Sequence, residues 1–204
     1  MPEQHTDTPL LTKRFDAALT YASGHHRRQL RKGSGIPYVA HLLAVAAIAL
    51  EMGADEDEAI GALLHDVVED GGGPAALADI RERFGAAVAT IVQANSDTDV
   101  EPKPPWRERK EAYIDGIAHK PVAAVRVSLA DKLHNARSIL QDYRLHGEQL
   151  WSRFSTGSGD DVRWYYAALA AAFTARADEL GPGARAALDD LQRTLDQLDA
   201  LTGR

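Results

Sequence analysis

From Leu10 onward the apolar residues recur at helical spacing in one segment after another, with glycine or proline at most of the breaks. That pattern leaves little room for a sheet. Phe15, Ala18, Leu19 and Ala22 mark a first helix within Leu10–Gly24, and Pro37 opens a second that runs to about Met52 before Gly53 ends it. Asp55 reads as an N-cap, with Glu58 three residues on as in a capping box. The helix it starts passes through Ala59, Leu63, Leu64 and Val67 to Asp70, where Gly71-Gly72-Gly73-Pro74 stops it. Shorter helices follow over Ala75–Phe84 and Gly85–Ala94, then a polar, proline-rich loop, Asn95–Pro105. Trp106–His119 and Pro121–Tyr143 are again helical. The β-rich start at Val122, Val125, Val127 and Leu129 is outweighed by the LADKLHNARSIL pattern behind it. Ser155–Asp161 is a loop, Val162–Leu180 an alanine-rich helix and Gly181-Pro182-Gly183 a break. The last helix repeats Leu188, Leu191, Leu195 and Leu198. That stripe is either a coiled-coil seam or a face packed on its own domain, and about two heptads is short for a free coil. No strand hairpin and no internal repeat stand out, so the expected fold is all-α.

Composition narrows the chemistry. The chain has 204 residues, room for one large domain or two small ones, and its 45% apolar content suits a packed protein. With no cysteine, disulfides and thiolate zinc sites are excluded, leaving His, Asp and Glu as the strong metal ligands. A formal charge of −7 argues against bulk nucleic-acid binding but not against a small nucleotide in a locally basic pocket. No apolar run approaches the roughly 20 residues that span a bilayer. The longest, Val39–Leu50, is interrupted by His41. Met1–Pro9 is polar and carries no signal pattern, so a cytoplasmic enzyme without a membrane partner is expected.

The densest chemistry lies in ALLHDVVED. Leu63, Leu64, Val67 and Val68 mark His65-Asp66 as buried, and a buried His-Asp pair is costly unless paired or metal-bound. His65 and Glu69 are four residues apart, as are Asp66 and Asp70, which on a helix makes two stacks on one face. The bland alternative is a solvated acidic helix end. Two carboxylates at a helix C-terminus oppose the dipole, however, and so favour a functional role. His41, in PYVAHLLAV, is by itself an ordinary core histidine. Asp131 shares a face with His134 and Asn135, and could simply pair with Lys132 or Arg137. Together these residues offer a nitrogen and oxygen site for a divalent transition metal. Helical spacing does not choose His41 over His25, His26 or His134. In the acidic chain, HHRRQLRKGSG concentrates Arg27, Arg28, Arg31 and Lys32, which suits phosphate binding or a plain basic helix end.

The order RK-G-SGIPYVAH, ALLHDVVED, SLADKLHNARSI resembles the HD-domain hydrolases of guanosine tetra- and pentaphosphate, the RelA/SpoT-type alarmone hydrolases. The likeness extends through DTDVEPKPPWRERKEAYIDGI, GEQLWSRF and VRWYYAAL, about residues 20–175. It implies an HD-domain helical bundle of roughly eight to ten helices. The expected organisation is one hydrolase domain over residues 1–204, with a core at about 10–180 and a C-terminal helix at about 184–202. There is no room for a synthetase domain, as in the stand-alone small hydrolases. It further implies that His41, His65, Asp66 and Asp131 hold one Mn²⁺ and that Glu69 and Asp70 position or activate the attacking water. Arg31 and Lys32 would meet the nucleotide, Arg31 beside the base, and Asn135 would lie near the ribose. Tyr38 would pack beside His41, Tyr165 or Tyr166 would approach the nucleotide, and His134 would either support the site from behind or simply pack.

The implied reaction is release of pyrophosphate from the 3′-diphosphate of (p)ppGpp; ppApp and the 2′-phosphate of NADPH are the alternative substrates. Three departures bear on base recognition rather than on the hydrolytic centre. Leu42 stands where the family usually has proline after the first ligand. One extra residue separates Arg31-Lys32 from Gly35-Ile36-Pro37, and Asn95-Ser96 replace a threonine before Asp97. Oligomeric state is not inferable from these features.

Overall fold

The computed structural model describes residues 10–96 and 104–203. The Met1–Pro9 terminus and the loop residue Asp97 lie outside them. Among the described residues there are ten α-helices and no strand: α1 (Lys13–His25), α2 (Val39–Glu51), α3 (Glu56–Leu64), α4 (Gly73–Phe84), α5 (Ala86–Asn95), α6 (Trp106–Ile117), α7 (Val122–His146), α8 (Gly159–Thr174), α9 (Ala177–Leu180) and α10 (Pro182–Leu201). An isolated bridge between Leu30 and Pro37 ties off the basic loop. No described helix is long and apolar enough to cross a membrane.

Helix α3 is the hub. Asp55 caps it: its carboxylate accepts from the Glu58 amide at 2.9 Å while Glu58 accepts from the Asp55 amide at 2.9 Å. From Glu58 to Leu64 every side is buried, with α1, α2, α5 and α7 around it. The closest approach is at Gly61, where a Cβ would come within 2.6 Å of Ile91 on α5. Helix α7, 25 residues long, packs against α2, α3, α5 and α10. Arg137 pairs with Asp190 and Arg144 donates to Gln197, so α7 and α10 lie parallel and in register. The leucine stripe of α10 is packed within the chain: Leu188, Leu191, Leu195 and Leu198 are all buried, on a helix that meets α7 and α8.

Two expected helices are interrupted. The segment expected to run unbroken to Asp70 ends its α-helical bonding at Leu64, and Val68–Gly72 forms a single wider π-type turn. Asp70 leaves helical geometry (φ −86°, ψ 34°), and Gly71, at φ 106°, takes a conformation that favours glycine. The chain then enters α4 directly, so Glu69 and Asp70 sit at a junction just ahead of the next helix start. The dipole cost assumed for them at a free helix end is therefore offset. The alanine-rich segment likewise splits into α8 and α9. At the break the Arg176 guanidinium donates to the carbonyls of Ile117 (2.8 Å) and Lys120 (2.6 Å), satisfying backbone acceptors at the end of α6.

Candidate metal centre

Three helices bring the expected ligands together. His41 is the third residue of α2, His65 and Asp66 follow the end of α3, and Asp131 lies in the first half of α7. One atom each of His41, His65 and Asp66 lie within 4.8 Å of one another. Asp131 stands at the edge of this group. Its Oδ1 is 3.3 Å from His41 Nε2 and 3.7 Å from His65 Nε2. Its other oxygen takes the Lys132 ammonium at 2.7 Å. Arg137, the other expected partner, is turned away to Asp190.

Hydrogen bonds fix which atoms face the centre. His65 Nδ1 lies 2.8 Å from the Ala62 carbonyl, an acceptor, so Nδ1 carries the proton and donates. In the neutral ring Nε2 then presents a lone pair. It is buried and has no hydrogen-bond partner among the described residues. Asp66 Oδ2 approaches it at 3.0 Å, but without hydrogen-bond alignment. A buried lone pair set against a half-buried carboxylate oxygen calls for a cation between them. His41 follows the same logic. Its Nδ1 is 2.8 Å from His134 Nδ1, while Nε2 faces Asp66 at 3.5 Å and Asp131 at 3.3 Å.

Electrostatics agree. Burial would lower the His65 pKa, yet the Asp66 and Asp131 carboxylates raise it well above the ordinary histidine range. Burial would raise Asp66, but His65 and His41 hold it well below the usual carboxylate range. Asp131 is likewise depressed, against its burial, by Lys132 and the two histidines. Burial, with His41 and Arg31 nearby, pulls His134 down to about 4, so that ring is neutral. A pocket that lifts a histidine and depresses two aspartates demands positive charge, and this nitrogen and oxygen donor set fits a first-row divalent cation.

The rim holds the remaining candidates. Glu69 and Asp70 are exposed, and Gln29 Nε2 donates to Asp70 Oδ2 at 2.7 Å. Arg31 donates to Asn135 Oδ1 at 2.9 Å, and Asn135 Nδ2 donates to Asp131 Oδ1 at 2.5 Å. The basic loop is thus chained to the centre, while Arg27, Arg28 and Lys32 stay exposed. Tyr165 and Tyr166 are buried on α8 rather than open at the rim.

Three residues matter more than the sequence indicated. Tyr38 packs beside His41, with ring centroids 5.5 Å apart, and also donates its hydroxyl to Asp66 Oδ2 at 2.5 Å. His26 and Gln29 connect to Asp70. The polar hydroxyl on a tyrosine three residues before a candidate ligand was a usable signal for the first; a glutamine in a loop gives none.

Residues 18–159 match the family model for the HD domain. The chain belongs to that family. The matched stretch includes every residue of the centre, while nearly all of α8 and the whole of α9 and α10 lie beyond it. The HD domain here is 38% identical over 133 residues to the bifunctional (p)ppGpp synthase/hydrolase SpoT of Escherichia coli, a match covering 62% of this chain and 18% of that protein. The chain therefore spans about a fifth of the length of that relative. It is 36% identical to human MESH1, a guanosine-3′,5′-bis(diphosphate) 3′-pyrophosphohydrolase, over 60% of this chain and 67% of MESH1. A solved structure of a metazoan SpoT orthologue that hydrolyses ppGpp superposes with a TM-score of 0.68 at 27% identity, covering 97% of this chain and 99% of that one.

Proposed function

We propose that this HD domain hydrolyses the 3′-diphosphate of ppGpp and pppGpp to GDP or GTP and pyrophosphate, with one Mn²⁺ held by His41, His65, Asp66 and Asp131. The observation that carries the reading is the convergence of buried His41 and His65 with half-buried Asp66, the His65 Nε2 lone pair unsatisfied, in a family whose similar members are named as ppGpp hydrolases. When bound, the cation supplies Lewis acidity, stabilising charge on phosphoryl oxygens and lowering the pKa of water.

The chain's own residues do the rest. Asp70, with Glu69 beside it, orients the attacking water and accepts its proton. The water oxygen bonds to the phosphorus next to the ribose, the bond from that phosphorus to O3′ breaks, and O3′ leaves as a hydroxyl by taking up the proton that the water gave to Asp70. Arg31 and Lys32 offset the substrate's charge, which a protein of net charge −7 otherwise repels. Asn135 meets the ribose and Tyr38 holds the Asp66 carboxylate. His41 keeps its proton on Nδ1, donated to the neutral His134, so that Nε2 faces the cation.

The test is turnover of ppGpp, ppApp and NADPH side by side, with and without Mn²⁺, read as pyrophosphate from the first two and as orthophosphate from the 2′-phosphate of NADPH. Turnover of ppGpp that needs the metal is the expected result. Preference for either other nucleotide transfers the centre to a different substrate, and metal-independent turnover overturns the ligand assignment.

A further inference from the structure

One buried histidine near the centre is not among its ligands. His26, just past α1, has a side chain with no exposed surface. Its ring lies against that of Tyr38, with centroids 5.0 Å apart and planes 28° apart. Its Nδ1 is 2.6 Å from Gln29 Oε1, and Gln29 Nε2 is 2.7 Å from Asp70 Oδ2. The protons in this chain follow by elimination. A carboxylate only accepts, so the Gln29 amide NH₂ must face Asp70. Its carbonyl oxygen then faces His26, and His26 Nδ1 must be the donor. Burial lowers the His26 pKa, which keeps the ring neutral in that single tautomer.

We propose that His26 is a positioning residue: through Gln29 it aims the Asp70 carboxylate, and through Tyr38 it braces Asp66. The backbone explains why such a device is needed. Asp70 lies outside helical geometry beside Gly71, so no helix holds its direction. Gln29 is itself fixed, because the Tyr38 amide donates to its carbonyl at 2.9 Å as the loop closes through the Leu30–Pro37 bridge. One loop closure therefore sets the anchors for both carboxylates, one expected to hold the cation and one expected to handle water. The proposal rests on the role given to Asp70 above.

The test starts from Gln29→Met, which keeps side-chain length, removes both hydrogen bonds and alters only a half-buried loop position. In the Mn²⁺-loaded protein its kcat for ppGpp is expected to fall about tenfold with KM little changed, the mark of a misplaced reacting group. In an Asp70→Asn background the same change should cost less than about twofold, since the two act as a unit. His26→Asn, whose amide nitrogen can replace the Nδ1 donor, should restore most of the activity that His26→Leu loses. Equal losses in both backgrounds, or a loss confined to KM, overturn the proposal. A readout without substrate separates this from the functional reading. Histidine NMR should show an Nδ1–H ring for His26 with an exchange-protected proton that Gln29→Met exposes. An Nε2–H ring, or a proton that Gln29→Met leaves protected, overturns the relay. Absence of any ppGpp turnover by the native protein overturns the substrate assignment instead, and the NMR result then decides the relay alone.

Discussion

Helices α3 and α7 carry two clusters of buried charge, and the two are built on opposite terms. Near the start of α3, Glu58 accepts from Arg126 Nη1 at 2.9 and 3.0 Å and from the Asp55 amide at 2.9 Å. Arg126 Nε donates to the Leu180 carbonyl at 3.1 Å. This cluster is closed, since each charge meets its partner within the chain. Just past the end of α3, His65 and Asp66 meet Asp131 of α7, and there His65 Nε2 is left without a partner while carboxylates crowd it. Buried charge alone does not mark a site. What separates the two clusters is whether the polar atoms are satisfied without a ligand.

The sharpest way to break this comparison is to remove a carboxylate from the open cluster. Asp66→Ala or Asp131→Ala should lower pyrophosphate release from ppGpp by at least about a thousandfold, the scale of a lost metal-centred charge stabilisation. Either variant, folded and supplied with Mn²⁺, retaining native turnover would dismiss it as a ligand.

The closed cluster should respond the other way. Glu58→Ala strands the Arg126 guanidinium and should cost about 3 kcal/mol of stability, the usual penalty for breaking one side of a buried pair. For a chain of this size that is a fall in melting temperature of about 6–12 °C. Turnover per folded molecule should stay within about twofold, because distant sites act independently. Loss of turnover in a fully folded Glu58→Ala protein would show the clusters to be one network.

Metal addition sharpens the contrast at a somewhat smaller scale. A cation at about a hundred times its dissociation constant stabilises the folded state by about 2.7 kcal/mol. Native protein and Glu58→Ala should both gain about 5–10 °C on addition of Mn²⁺, reversed by chelation, while Asp66→Ala should gain nothing. An equal gain in Asp66→Ala would put the cation elsewhere.

Much of this was legible in the sequence, for reasons that differ by region. The Asp55–Glu58 capping box could be read because a cap is a local contract between residues three apart, and both of its hydrogen bonds form. Burial of His65 could be read from its apolar neighbours. Spacing alone could not choose His41 over His26, since both are histidines beside a helix boundary; the family resemblance made that choice, and the crossing of α2 with α3 and α7 is what separates them in space. The early end of α3 was hidden too: the bend lies at Asp70 and Gly71, and the glycine run that signals a stop also serves a wide turn leading straight into α4. Gln29 carried no signal, because its role exists only once the loop closes onto α2.

The smallest expected effect probes the closed cluster alone. Burial pushes the Glu58 carboxyl above its ordinary range, although Arg126 and the Asp55 amide work against the rise. A carboxyl whose pKa is higher folded than unfolded binds its proton more readily in the folded state. Its contribution to stability is therefore fully present below the unfolded value, about 4.3, and is lost as pH rises through the folded one. Replacing it by Glu58→Gln removes that term. The native protein should thus gain stability relative to Glu58→Gln as pH falls from neutral toward about 4, read as a narrowing gap between their urea midpoints if the variant is the more stable at neutral pH, and a widening one if it is the less stable. Taking the difference cancels titrations common to both proteins. A gap that moves in the opposite sense would mean that the Arg126 pairing outweighs burial at Glu58. The closed cluster would then be a net stabiliser, not merely a satisfied one.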